Sequence, residues 1–435
     1  MPSPILIEGR NLAFKNGTGI ASYARNLVAT LKDLGYEMDV LFDVEFALSK
    51  DNSRWNEIRL FDVNGQDTRR FRVREYARRA GRFLTAAPFG IAMREVATSG
   101  LIADTSVLHG LNGFERRQAA EMLFFTADRH LLRYGKRLPI TPLRQPALMH
   151  ATHPTPIVVK GCANIYTIHD LVPLRLPHMT RDNKRSTLKT LQTLAKTADK
   201  IITVSENSRR DILTFLDIEE ERVVNTYQAV SLPAGYTDIS SDEKLREVDA
   251  LQLTPQEYFV FVGALEPKKN VERIIDAYMT SGSTYPLVII GKLGWGYDPI
   301  LDKLDTIAQR PSGAKRPHII RLSYLPSNQV FALIENARAL LMPSLYEGFG
   351  LPALEAMLLG APVIAANSSS LPEVVADAGV LVDPYDTTAI SRAIRMIDHD
   401  ADLRAALAQS GPEQAGKFSQ DKYDQRISAL YRELL

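Results

Sequence analysis

Short apolar runs closed by a turn residue alternate along this chain with stretches of helical period. Ile5–Glu8, Met38–Phe42, Asn164–Ile168, Lys200–Ser205, Tyr258–Gly263, Leu287–Lys292, Ala339–Pro343 and Pro362–Asn367 are such runs. Four to eight mostly apolar residues between turn signals suit strands of a parallel sheet covered on both faces. After the first run, Ile20, Tyr23, Ala24, Leu27 and Leu31 fall on one helical face, and Met38–Phe42 returns as a strand. That is a βαβ start, and its repetition predicts an α/β protein of Rossmann-like units. Helices are also expected at Val271–Tyr278, from Leu351-Pro352, after Ser370 as a cap, and over 421–434.

The densest chemistry follows the Ala339–Pro343 run. Glu347-Gly348-Phe349-Gly350 sets a carboxylate beside two glycines, so the backbone turns sharply and can approach a ligand closely. Leu351-Pro352 then opens a helix, whose first N–H groups at Phe349, Gly350 and Leu351 would favour a phosphate at the carboxyl end of a sheet. Glu355 follows one turn inside. Both carboxylates would repel phosphate, so both are expected to accept from sugar hydroxyls on either side of it.

Glu347 through Glu355 resembles the Glu-x7-Glu motif of retaining glycosyltransferases of family 4. The resemblance implies the GT-B fold: two Rossmann-like domains facing a central cleft, with a C-terminal helix crossing back to the first. It places Glu347 on the donor sugar and Glu355 on the nucleotide ribose. TIHDLVPLRLP is similar to the family's His-Asp stretch, which puts His169 and Asp170 beside the donor sugar. GALEPKKN resembles the glycine-to-lysine stretch that grips the diphosphate, giving Gly263, Lys268 and Lys269. Relatives often carry arginine at the first basic position, some directly after the glycine, where Ala264 stands, and lysine offers a point charge instead of a fork. Gly17 and Gly19 resemble the family's phosphate-side glycine loop, and Tyr324 and Leu325 the place where relatives hold the base by backbone groups. Implied domains are 1–235 for the acceptor, 236–250 as linker, 251–420 for the donor, and 421–435 as the returning helix. HATHP with TIHDLVPLRLP is most similar to bacterial O-antigen and exopolysaccharide mannosyltransferases, so GDP-mannose is the preferred donor. Alternatives are a UDP- or dTDP-sugar donor and a non-catalytic nucleotide-sugar-binding protein. The acceptor would be a glycan or a polyprenyl-diphosphate-linked one, with neither metal nor cofactor required.

Composition narrows the remaining classes. At 435 residues, 45% hydrophobic and 24% charged, the chain has room for two soluble domains. A net charge of +1 gives no bulk polycation for nucleic acid. A lone Cys162 excludes an intramolecular disulfide and a cysteine metal cluster, and points to the cytoplasm. His150 and His153 lack the partners of a zinc pair, and Asp398–Asp402 is expected on the surface. Neither a signal-peptide core nor an apolar run of membrane-spanning length occurs, so attachment to the inner membrane would be peripheral. Residues 69–84 suit that role: Val73, Tyr76, Ala77, Ala80, Phe83 and Leu84 form a helical stripe among seven arginines. Met122–Phe125 through Arg137 is a second basic-apolar segment.

Overall fold

The computed structural model describes residues 3–12, 19–44, 53–61, 81, 90–96, 113–233, 235–309 and 318–435. They belong to two compact units: Met1–Val204, Ser208–Thr226 and Asp424–Leu435 make the first, Ser205–Asn207 and Tyr227–Tyr423 the second. Gly17 and, Gly81 apart, the basic stretch 69–84 lie outside the described residues.

The first unit is built on strands β1 (Ile5–Glu8), β2 (Met38–Val44), β3 (Ile91–Ala92), β4 (Arg94–Glu95), β5 (Arg116–Glu121), β6 (Leu138–Thr141), β7 (Leu148–Ala151), β8 (Ile157–Val159), β9 (Ala163–Thr167), β10 (Lys200–Thr203) and β11 (Val223–Asn225). Eight of them form one sheet in the order β11-β10-β9-β7-β1-β2-β5-β4, and β3-β6-β8 form a small separate one. Every pair in the large sheet is parallel except β4 with β5. Ile5, Leu6 and Ile7 are fully buried, as a central strand covered on both faces requires. The chain leaves β1 for β2 on one side and later reaches β7 on the other. The carboxyl ends of β1 and β7 are therefore a topological switch point, where open α/β sheets hold ligands. The helix Gly19–Asp33 buries Tyr23, Ala24, Leu27 and Leu31, the periodic face read from sequence. The last helix, Gln420–Leu434, enters this unit at Asp424, where Thr30 Oγ1 donates to Asp424 Oδ1 at 2.7 Å. Lys200 pairs with Glu433 at 2.7 Å, and the Tyr431 hydroxyl meets His150 Nδ1 at 2.6 Å.

The second unit is a six-stranded sheet of β12 (Phe259–Val262), β13 (Leu287–Ile290), β14 (Ile319–Leu322), β15 (Ala339–Met342), β16 (Val363–Ala366) and β17 (Val380–Val382). Its order is β14-β13-β12-β15-β16-β17, parallel throughout, with the switch point between β12 and β15. Helices Val271–Ser281 and Thr387–His399 pack together over one face and supply Ile274, Ile275, Ile390 and Ile394 to the core.

Two expectations are corrected here. The linker expected at 236–250 is ordered structure in the second unit: a 3-10 turn at Tyr236–Asp238 and a helix at Ser241–Asp249 closed by a Ser240–Glu243 capping box. Its polarity reflects one exposed helix face, with Val248 buried on the other. Asp398, expected on the surface, is buried and pairs with Arg338 Nε at 2.9 Å, because an arginine buried just before β15 needs a countercharge. Asp400 caps the next helix through Leu403 N.

Candidate active site

In the second unit, chemistry gathers where β12 and β15 end. After Gly263 the chain forms a 3-10 turn at Pro267–Lys269, and Asn270 reverses it at φ 63°. Asparagine tolerates that left-handed geometry. Its buried amide donates to Pro343 O (2.9 Å) and Pro384 O (2.7 Å), and Leu345 N donates to Lys268 O (2.8 Å). The loops after β12 and β15 are thus tied backbone to backbone. They bring Lys269 Nζ to 2.7 Å from Glu347 Oε1 and 3.0 Å from Oε2.

Glu347 is only 7% exposed. Burial opposes its charge, but the attraction of Lys269 and Lys268 prevails and holds the carboxyl below the ordinary range. It is an ionised group kept ready to accept hydrogen bonds. Gly350 has φ +116°, and a Cβ there would lie 2.7 Å from a Leu371 methyl. Helix Leu351–Leu358 then starts with proline in its first turn and no side-chain cap. Half-buried Glu355 has no side-chain partner among the described residues, and burial pushes its carboxyl up to about 7. Such a carboxyl regains its charge on meeting hydroxyl donors.

The other sequence candidates of this unit are half-buried Lys268, Gly263, Gly348, Leu351 and Leu325, buried Phe349 beside Tyr227 and Phe418, and Tyr324, 70% exposed after β14. Ser370 corrects an expectation. It stands at the start of helix Leu371–Val375 but makes no capping bond. Its hydroxyl instead bridges Glu347 O (3.0 Å) and Phe349 O (2.7 Å), while Glu347 N donates to Ser369 Oγ (3.0 Å). Asn270, Ser369 and Ser370 were not among the sequence candidates. Ser369 has φ 55°, and the run of three serines after β16 was the available signal.

In the first unit His169 follows β9, buried, with its ring edge-to-face on Tyr23 at 4.9 Å. Its Nε2 contacts the Thr152 carbonyl at 3.0 Å. Burial lowers its pKa despite that carbonyl and Asp170, so the ring is neutral. Asp170 caps the next turn through Val172 N at 3.1 Å, and Gly19 opens its helix, exposed. His150 bridges Tyr431 and Thr167, and burial pushes it down to about 3, as it does His153. Among the described residues no three His, Cys, Asp or Glu side chains converge as a metal site would require.

With this geometry in view, residues 243–414 match the family model of glycosyl transferases group 1. They are a group 1 glycosyltransferase domain. Lys268, Lys269, Glu347 and Glu355 all lie inside it. Over 260 residues the chain is 35% identical to O-antigen chain mannosyltransferase B of Escherichia coli, covering 59% of this chain and 66% of that protein. Over 318 residues it is 27% identical to the serotype-specific mannosyltransferase WbdA of Escherichia coli, 68% of this chain but 38% of WbdA. The chain thus spans two thirds or less of the length of these relatives. The Anabaena protein HepE, crystallised with UDP and glucose, superposes with a TM-score of 0.65 at 14% identity, covering 99% of this chain and all of HepE. That likeness establishes the fold, GT-B, of two Rossmann-like units, the second of which holds the group 1 domain.

Proposed function

We propose that the chain is a retaining mannosyltransferase that moves mannose from GDP-mannose to a glycan or polyprenyl-diphosphate-linked acceptor in bacterial surface-polysaccharide synthesis. The observation that carries this reading is the Lys269–Glu347 pair at the switch point of the group 1 domain, beside an uncapped helix start. The mannosyltransferase relatives supply the sugar.

In this reaction the bond between the anomeric carbon and the donor's β-phosphate breaks, and the acceptor oxygen bonds to that carbon from the same face. The acceptor proton passes to the departing phosphate oxygen, which leaves as GDP. Positive character grows on the sugar and negative charge on the phosphate. Lys269 contacts both Glu347 oxygens, and its three donors leave at least one for the phosphate, with Lys268 and the amides of 349–351 as further donors. Glu347 accepts from sugar hydroxyls, Glu355 from the ribose, and His169 faces the sugar. Lysines and amides supply the countercharge, so transfer should persist in EDTA. Activity lost there and restored by manganese would sink the lysine assignment.

The first test is a thermal-shift comparison of GDP, UDP and dTDP, joined to a transfer assay with each sugar. A ligand at 100 times its dissociation constant stabilises by about 2.7 kcal/mol. Selective stabilisation by GDP, with mannose transfer, is the expected result. A UDP or dTDP preference would overturn the donor, and tight binding without transfer or donor hydrolysis would favour a non-catalytic role. The reading also holds the enzyme peripherally on the cytoplasmic face of the inner membrane, through residues 69–84. Sedimentation with phosphatidylglycerol vesicles, unaltered by Arg70→Glu, Arg74→Glu and Arg78→Glu together, would remove that part.

A further inference from the structure

Glu8 ends β1 at the switch point of the first unit, fully buried, and has no ion pair among the described residues. Its Oε1 accepts from Arg10 N at 2.7 Å and its Oε2 from Thr152 Oγ1 at 3.3 Å. Asn11 Nδ2 donates to the same Thr152 hydroxyl at 3.3 Å. Thr152 is therefore held by its side chain, and its carbonyl in turn holds His169 Nε2 at 3.0 Å. A carbonyl only accepts, so Nε2 carries the hydrogen and Nδ1 presents a bare lone pair. That Nδ1 is buried and has no hydrogen-bond partner among the described residues. An acceptor nitrogen left in this way suits a hydroxyl donor brought by a ligand.

We propose that Glu8 is a positioning residue for His169, acting through the Thr152 peptide to aim Nδ1 at a hydroxyl of the bound sugar. The proposal rests on the glycosyl-transfer reading for the identity of that hydroxyl. If Glu8 and Asn11 release the Thr152 side chain, the 152–153 peptide is free to rotate and Nε2 loses its fixed acceptor. A carboxylate here is costly, and an apolar residue would fill the space more cheaply. Burial pushes Glu8 up to about 7, against the amide and charge of Arg10 and the hydroxyl of Thr152, with Asp43 at the end of β2 adding to the rise. Among the described residues, His153 after β7, His169 and Asp170 after β9, Tyr23 against the His169 ring, and Asp128 beside Arg10 are further titratable groups here. Burial lowers both histidines, to about 3 for His153, and raises Glu8 to about 7, so the Glu8 carboxyl changes charge near neutrality.

The test is nitrogen-15 NMR of the histidines in the full chain, alongside donor turnover from pH 6 to 8. In the wild type the His169 ring should be a single Nε2-protonated tautomer whose signals shift near pH 7. Glu8→Gln should abolish that shift and flatten the matching step in kcat. Thr152→Val should mix the tautomers and lower kcat about tenfold, the size of one hydrogen bond to a charged partner, while Thr152→Ser retains both. A His169 shift unchanged in Glu8→Gln would overturn the proposal, as would a single tautomer in a folded Thr152→Val. If Thr152→Val does not fold, the Glu8→Gln arm decides alone. The NMR arms need no turnover, so a chain inactive with every donor would sink the transfer reading without touching them.

Discussion

Glu347 and Glu355 flank one turn, yet their surroundings set them to opposite states: one ionised by Lys269, the other held near neutral by burial. Glu347→Gln should lower turnover about 10²–10³-fold, because it weakens an acceptor at the sugar and leaves Lys269 without its countercharge. Binding of free nucleotide should barely change. Glu355→Gln should instead weaken nucleotide binding about tenfold, the value of one bond to a charged acceptor. Calorimetry on both variants separates the roles, and equal losses of nucleotide affinity would refute the division. Glu8 allows a different measurement. Its folded pKa lies above the usual 4.5, so folding disfavours its ionised form. The resulting destabilisation is absent below pH 4.5, grows up to about pH 7, and is complete above it. Glu8→Gln should therefore stabilise the protein by about 3 kcal/mol at pH 8 and hardly at all at pH 4, read by urea denaturation. At this scale the sequence singles out residues where a residue type and its neighbours define a motif, as with Glu347 and Lys269, which the fold brings to 2.7 Å. It was silent on Glu8, because a carboxyl ending an apolar strand carries no mark of the Thr152 hydroxyl far along the chain.

The elements were legible because most strands here are covered on both faces, leaving apolar runs that no alternation blurs. Ser370 shows the limit. A serine before Leu-Pro-Glu has the local pattern of a helix cap, but the carbonyls of Glu347 and Phe349 offer its hydroxyl two partners across the sheet edge. Long-range satisfaction overrides the local motif. The helix Ser241–Asp249 fails in the opposite sense: its polar sequence reads as a linker, and only packing reveals its buried Val248. Ser370→Ala should slacken the Glu347–Phe349 turn, costing about 1–2 kcal/mol of stability and about tenfold in turnover. A variant that loses stability by denaturant midpoint but keeps full turnover would show that the turn is held without it. Gly350→Ala should be worse, since φ +116° and the Leu371 methyl both oppose a Cβ.

For the whole molecule, the last helix is the feature whose return to the first unit the resemblance implied but whose partners there the sequence did not name. Tyr431, His150, Thr167 and Tyr23 form a buried chain of hydrogen bonds within the first unit, at 2.6, 2.8 and 2.9 Å. Tyr431→Phe should leave His150 Nδ1 unsatisfied and cost about 1–3 kcal/mol. Hydrogen exchange should show the loss in β7 and β9, and a loss confined to the second unit would contradict this assignment. The same helix bears on how the chain is made. Domains usually fold in order as they leave the ribosome, at about 5–20 residues per second. Here the first unit has emerged to Thr226 while its closing segment, Asp424–Leu435, is still untranslated. For about 10–40 s the nascent first unit lacks Tyr431 for His150, Asp424 for Thr30 and Glu433 for Lys200. The second unit, nearly continuous in sequence, can close before the first, so synthesis order and completion order are reversed, and the early half is the one left to chaperones.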